Sequence, residues 1–337
     1  MWALRGGPWK RGRIRGIYGL KVFVRHGKIP GNLDQLSDGG WIMVDVKKIL
    51  CPTDFSEFSA WALELALGLA HWYKSEITVM HVVPRVLMHP EYFPYMQEPV
   101  LPSPDVRKQA QEELDRFTEK AQGAGIPTLT RLEEGDSVEE ILEYASELPA
   151  DLVIMGTHGR RGFERLVLGS VTVKVMRKGV CPLLTVSSEP RGIGESKDGI
   201  FRKILCPVDF SASSVKALEY ALSLAQEGDA ALTLLHVVES LFEGEGTSEF
   251  RSNLVTKAVE KMRAAVPVDA NNWCQPEEIV LTGRPYQQIL DVAREREADL
   301  IVMGIQGRSA VDMMLFGSTT NHVIRQAPCP VLTIRSG

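Results

Sequence analysis

The strongest constraint on this chain is a glycine-punctuated block that occurs twice. Asp151 to Val186 reads DLVIMGTHGRRGFERLVLGSVTVKVMRKGVCPLLTV, and 148 residues later Asp299 to Ile334 reads DLIVMGIQGRSAVDMMLFGSTTNHVIRQAPCPVLTI. In both copies a four-residue apolar run (Leu152 to Met155, Leu300 to Met303) ends at a glycine, and the spacing that follows is G-x2-G-x9-G-S. An apolar run bounded by glycine predicts a strand buried on both faces, and the loop after it lies at the carboxyl end of the strands, where open α/β sheets bind ligands. Gly169-Ser170 and Gly317-Ser318 open helix-period segments, so their backbone N–H groups and serine hydroxyls can present donors to an anion. This is the outline of a phosphate site. Glycines at a strand-to-helix turn can also serve backbone conformation alone. Both copies keep all three glycines and the serine while most loop residues between them differ, as a close backbone approach to a ligand would require.

The repeat extends upstream. Lys47 to Ala70 (KKILCPTDFSEFSAWALELALGLA) matches Arg202 to Ala225 (RKILCPVDFSASSVKALEYALSLA) at an offset of 155. Each begins with a short apolar strand, turns at Pro-x-Asp-Phe-Ser and continues as a helix capped by Ser56 or Ser211. Leu63, Ala66, Leu67 and Ala70, and likewise Leu218, Ala221, Leu222 and Ala225, form the apolar stripe of a helix packed on a sheet. Asp54 and Asp209 end their strands on the side of the glycine loops. Each is either a turn-former or the acceptor for a ligand's amino group. Second strands follow at Ile77 to Val83 and Leu232 to Val238. His81 and His236 lie inside them without a neighbouring ligand-type residue, which fits structural imidazoles better than metal ligands.

The copies then diverge. Pro84 to Pro104 holds six prolines with Tyr92, Phe93 and Tyr95, against a short acidic counterpart from Glu239 to about Glu249. The aromatics could form a lid, a partner contact or a cover for the domain's own apolar surface. A charged helix (Asp105 to Ala121, Glu249 to Ala265), a strand ending at Glu134 or Thr282, and a glycine plus helix start at Gly135 or Gly283 complete the third crossover. Asp136, Glu139 and Glu140 read as solvated acids at a helix N-terminus. The glycine block supplies the fourth strand and its helix. The fifth strand is Leu183 to Val186 or Val331 to Ile334, and Pro182 and Pro330 at its entry predict an edge position. Each half is therefore β-α-β-α-β-α-β-α-β, a doubly wound, five-stranded parallel sheet.

The domain limits follow as residues 47–187 and 202–337, joined by a linker over 188–201 (SEPRGIGESKDG over 188–199). Residues 1–42 carry eight Lys or Arg against Asp34 and Asp38, a local charge of +6 on a chain whose net charge is −5. We read 1–46 as a basic, poorly ordered extension with Met43 as the expected start, a functional basic arm being the other reading. The acidic remainder offers no domain-sized basic field for nucleic acid. No stretch of 18 apolar residues and no signal sequence is present, so membrane insertion is not expected and the cytoplasm is the expected location. Cys51, Cys181, Cys206, Cys274 and Cys329 form no C-x-x-C and read as small buried hydrophobes, not as a zinc or disulfide framework.

With these residues in hand, the chain resembles the universal stress protein family in its tandem form, over Lys47 to Val186 and again over Arg202 to Ile334. KKILCPTDFS, the HVV strand end, MGTHG, LGSVT and CPLLTV carry the resemblance in the first half; PVDFS, HVV, MGIQG, FGSTT and CPVLTI carry it in the second. The resemblance implies the adenine nucleotide alpha hydrolase-like fold and ATP as ligand, with which Mg2+ could travel. It implies that Pro52, Thr53, Asp54 and the backbone of Val82 hold adenine, that Gly156, His158, Gly159 and Arg160 approach ribose and phosphates, and that Gly169, Ser170, Val171 and Thr172 receive the phosphate chain. It assigns Asp209, Val237, Gly304, Gln306, Gly307, Arg308, Gly317, Ser318, Thr319 and Thr320 to a second site. It further implies that the last strands pair, making the two halves a pseudo-dimer that could pair again as a homodimer, with regulatory protein partners unspecified. Replacement of His158 by Gln306 and of Arg161 by Ser309 leads us to expect tighter ATP binding in the first half.

Three functions remain open: a nucleotide-dependent stress-response or signalling module, a slow ATPase or other nucleotide-processing enzyme, and an interaction scaffold with vestigial loops. Neither copy contains G-x4-G-K-[ST], and His158, the one residue placed to act as a base, is not repeated. Binding without efficient turnover is the expectation.

Overall fold

The computed structural model describes residues 44–85, 102–159, 168–190, 200–239, 248–268, 270, 274–305 and 317–336. The first half runs β1 (Lys48–Pro52), α1 (Glu57–Tyr73), β2 (Glu76–Pro84), α2 (Pro104–Gly123), β3 (Thr128–Gly135), α3 (Ser137–Glu147), β4 (Leu152–Gly156), α4 (Ser170–Lys178), β5 (Leu183–Val186). The second half repeats it as β6 (Lys203–Pro207), α5 (Ala212–Gly228), β7 (Ala231–Val238), α6 (Ser248–Ala265), β8 (Glu277–Thr282), α7 (Pro285–Glu295), β9 (Leu300–Gly304), α8 (Ser318–Gln326), β10 (Val331–Ile334). The expected elements are all present. The basic segment 1–43, the proline- and aromatic-rich stretch 86–101 and most of the linker fall outside the described residues.

All strands join in one ten-stranded sheet of order β3-β2-β1-β4-β5-β10-β9-β6-β7-β8. Within each half the pairing is parallel, and at the centre β5 and β10 run antiparallel, with Val331 opposite Thr185 and Thr333 opposite Leu183. β5 and β10 are thus the edge strands of their own halves, as Pro182 and Pro330 predicted, and they meet each other. Each proline precedes its strand and costs no ladder bond, so the edge of each half is closed by the other. The Thr185 hydroxyl donates to the Val331 carbonyl at 3.2 Å and the Thr333 hydroxyl to that of Leu183 at 3.0 Å, a pair related by the pseudo-symmetry.

Alternation along the strands divides the core in two. Ile49, Cys51, Leu152 and Ile154 face α1, α2, α5 and α6, whereas Leu50, Val153 and Met155 face α3, α4, α7 and α8. The α1 stripe is buried at Leu63, Ala66 and Ala70, with Leu67 only half-buried; its α5 counterpart is buried throughout. Val46 and Phe201, at equivalent positions ahead of β1 and β6, are both buried, and the Val44 amide donates to the Ser223 hydroxyl at 2.8 Å.

In each half the chain leaves the first strand outward through the second and third, then returns to place the fourth on the first strand's other side. The switch point therefore lies between β1 and β4, and between β6 and β9, which is where a doubly wound sheet opens a crevice at its carboxyl ends.

Candidate functional site

Asp54 and Asp209 leave β1 and β6 at this crevice, and the chain then turns sharply. Phe55 has φ 61° and Phe210 φ 65°. A bulky residue in the left-handed region is a strained turn, and such strain clusters at ligand sites. The turn is pinned from several sides. The Ser56 amide donates to Asp54 Oδ1 at 3.1 Å, the Phe55 amide to Thr53 Oγ1 at 3.0 Å and the Thr53 amide to the Met80 carbonyl at 2.8 Å. In the second half the Ser211 amide and hydroxyl donate to Asp209 Oδ1 at 3.0 and 2.6 Å, and the Val208 amide to the Leu235 carbonyl at 2.8 Å. Ser56 and Ser211 then cap α1 and α5, as expected. His81 and His236 are bound structurally, their Nδ1 atoms 2.7 Å from the carbonyls of Thr53 and Val208 and their rings packed on Phe55 and Phe210.

The glycines take up different tasks. A Cβ on Gly156 would lie 2.7 Å from that of Phe58, and one on Gly304 would lie 2.6 Å from the Ser213 hydroxyl and 2.7 Å from its carbonyl carbon. These first glycines let α1 and α5 cross the strand ends, so helix packing alone accounts for them. Gly159 is different: a Cβ there would meet Asp54 Oδ2 at 2.6 Å, which places the second glycine of the motif against the β1 carboxylate. Gly169 is held by its amide donating to the Thr157 carbonyl at 2.7 Å, and Thr157 is held in turn through its amide to Val186 at 2.9 Å.

Gly169 and Gly317 are the N-caps of α4 and α8, and neither helix start has a side-chain cap. α1, α2, α3 and α5 are capped by Ser56, Ser103, Asp136 and Ser211, while α7, which starts at Pro285, likewise has no side-chain cap. The uncapped starts of α4 and α8 leave first-turn N–H groups directed at the crevice, with the positive end of the helix dipole behind them. Ser170 and Ser318 are exposed there. Thr172 and Thr320 are buried, and their hydroxyls donate to the carbonyls of Gly156 at 3.0 Å and Gly304 at 3.3 Å, so these side chains tie helix to strand and leave the backbone as donor.

In the second half the pieces enclose a cavity of about 660 Å³, within the range of small-molecule sites. Asp209, Val237, Gly304 and Gly317 to Thr320 all line it, with Phe210, His236 and Met303. The first-half residues Pro52, Thr53, Asp54, Val82, Gly156 and Gly169 to Thr172 occupy the equivalent positions in the fold. Arg160, Gln306, Gly307 and Arg308 lie outside the described residues. His158 is 6% exposed, with Nδ1 2.8 Å from Thr157 Oγ1 and its ring 4.9 Å from that of Phe58.

Sequence reading missed two further features, the strained Phe55 and Phe210 and the lysines Lys257 and Lys261, which line the cavity from α6. The Phe signal was present as a repeated Asp-Phe-Ser, and the lysine signal as two cations four residues apart on one helix face. Among the described residues no group of three or more His, Cys, Asp or Glu could hold a metal ion, and no helix is long and apolar enough to cross a membrane.

Comparison with known proteins gives one answer. The sequence profile of the Universal stress protein family matches residues 45–187 and again 200–335. A universal stress protein of Methanocaldococcus jannaschii is 34% identical over 143 residues, covering 41% of this chain and 84% of that protein. One from Mycolicibacterium smegmatis is 25% identical over 291 residues, covering 85% of this chain and 96% of its own. The crystal structure of a universal stress protein from Archaeoglobus fulgidus superposes with a TM-score of 0.60 at 25% identity, over 86% of this chain and 96% of the other.

Proposed function

This chain belongs to the universal stress protein family in tandem form, and we propose that it is an ATP-binding switch whose two halves each hold an adenine nucleotide. The observation that carries this reading is the second-half cavity. Seven of the ten residues that the family resemblance names for the second site, Asp209, Val237, Gly304 and Gly317 to Thr320, scattered over more than a hundred positions in sequence, line one space of about 660 Å³. The cavity joins a carboxylate suited to an amino group, Asp209, with the uncapped N-terminus of α8, suited to phosphate. The fit extends to chemistry: backbone N–H groups donate to any phosphate oxygen without a proton step, so the chain binds and orients the nucleotide. The output is a change of partner or conformation, and Mg2+ would arrive with the nucleotide. Five free thiols among the described residues suit a reducing compartment, in keeping with a cytoplasmic protein.

Acid extraction of the purified protein, followed by mass spectrometry, identifies any carried nucleotide. Titration of ATP into wild type, Gly169→Glu and Gly317→Glu then assigns the sites, because a carboxylate at either helix start both fills the phosphate position and repels it. Each single variant is expected to lose one site and keep the other, with no ADP or AMP formed over hours. Steady product formation lost in a variant would identify an enzyme, and absence of adenine nucleotide binding by wild type would leave a scaffold.

A further inference from the structure

The two crevices differ most on the helix that crosses each of them, not in the glycine loops. α2 starts at Pro104 and α6 at Ser248, and the same offset of 144 pairs the buried Leu114 with Ala258 and Thr118 with Met262. It also pairs Glu113 with Lys257 and Phe117 with Lys261. The surroundings agree with this register: Phe117 lies 5.7 Å from the Phe55 ring, edge-on, and the Lys261 ammonium lies 5.7 Å from the centre of the equivalent Phe210 ring. Glu239, which also lines the second cavity, corresponds to Pro84. At these three positions the first half carries a net charge of −1 and the second +1. Both lysines are exposed at the cavity wall, so their charge acts on whatever enters.

We infer that Lys257 and Lys261 are specificity determinants that make the second site select a nucleotide by its number of charges, preferring a triphosphate to a monophosphate or cyclic nucleotide. This rests on the nucleotide reading above. Backbone donors at Gly317 to Thr320 recognise phosphate oxygens locally and respond weakly to charge further along the chain. Two exposed ammonium groups at the wall attract, through a solvent-screened field, every charge within a Debye length, about 8 Å at physiological ionic strength, so each added phosphate gains. The first half has a carboxylate and an aromatic ring in their place, which gives it no such dependence. The replacements of His158 by Gln306 and of Arg161 by Ser309 point to tighter ATP binding in the first half, and Lys257 and Lys261 on α6 act in the opposite direction.

The test uses the full chain with Gly169→Glu in place, so that only the second site reports. ATP and AMP are titrated by calorimetry over a salt series, with and without the paired change Lys257→Glu and Lys261→Phe. Those are the residues the first half already accommodates at these positions, and a thermal melt confirms folding. The pair is expected to weaken ATP by about tenfold and AMP far less, and to flatten the salt dependence of ATP binding. The converse change, Glu113→Lys in a Gly317→Glu background, is expected to raise the ATP-to-AMP preference of the first site. An unchanged ATP-to-AMP ratio in both backgrounds overturns the assignment and leaves the nucleotide reading intact. If neither nucleotide binds the parent proteins, both are overturned.

Discussion

Gly156 and Gly304 show how a motif residue can be required for a reason other than its ligand. Each ends a central strand beneath the first turn of a helix, and the atoms that would meet a Cβ at 2.6–2.8 Å include backbone atoms of Phe58, Ser213 and Ser214. A backbone contact cannot swing away as a side chain can, so the helix must shift. We expect Gly304→Ala to destabilise the second half by about 1–3 kcal/mol, as overpacking of a dense interior does, measured by chemical denaturation without nucleotide. A loss of that size in the apo protein would show that the glycine is fixed by packing; an alanine variant of full stability would place its constraint in ligand approach. Gly159 behaves differently, because the atom it faces is the terminal Oδ2 of Asp54, which can move. Gly169 lies between the two cases: a Cβ there would meet the Thr157 carbonyl oxygen at 3.2 Å, a contact that a shift of a few tenths of an ångström relieves.

The glycine-loop helices are gripped at both ends by different parts of the chain. Their N-termini open on the crevices, while their C-termini are capped across the β5–β10 seam by the opposite half. Arg335, just after β10, donates from one guanidinium nitrogen to the Gly179 carbonyl at 3.0 Å and from another to that of Arg177, at the end of α4. The equivalent residue after β5, Ser187, donates to the Ala327 carbonyl at 3.2 Å, at the end of α8. The positions correspond, but only Arg335 brings a charge that complements the negative end of the helix dipole. Arg335→Ala is expected to cost about 1–2 kcal/mol and Ser187→Ala about 0.5–1 kcal/mol in equilibrium unfolding. Equal, negligible effects would mean that the seam is held by strand pairing and apolar packing alone. These contacts were invisible in the sequence, since the residues are 140 to 158 positions apart and carry no motif. The elements themselves were legible, because glycine-bounded apolar runs, Ser caps and the 3.6-residue stripe are local signals that recur in both halves. The seam was legible only through family resemblance, and Pro182 and Pro330 alone pointed to an edge. The lysines of α6 escaped because the repeats align by motif, and α6 has none.

At the scale of the molecule, the continuous sheet gives one core on each face, and the cysteines report on it. Cys51, Cys206, Cys274 and Cys329 are buried and Cys181 is half-buried. Burial pushes the Cys51 thiol up to about 12 from an ordinary value of 9.0, and those of Cys181 and Cys274 to about 11; Cys206 is raised further still. Burial also raises the Tyr73 phenol, with Glu227 adding to the effect. In the unfolded chain these thiols release their protons near pH 9, whereas in the folded protein they keep them. Between these values the native state therefore binds more protons than the unfolded state, and stability falls as pH rises. Denaturation midpoints measured in a pH series should stay level for this group below about pH 8. They should then fall steadily from pH 9 toward pH 11 and 12, the range set by the folded thiols. Replacing Cys51 and Cys206 by alanine would remove two of the steepest contributors, which lie in adjoining parts of the same core face as Ile49 and Ile204. The double variant should be less stable at neutral pH through the cavities it leaves, yet lose less of its remaining stability between pH 9 and 11. An unaltered alkaline slope would locate the titration elsewhere, with Tyr73 the next buried group to examine by its absorbance on ionisation.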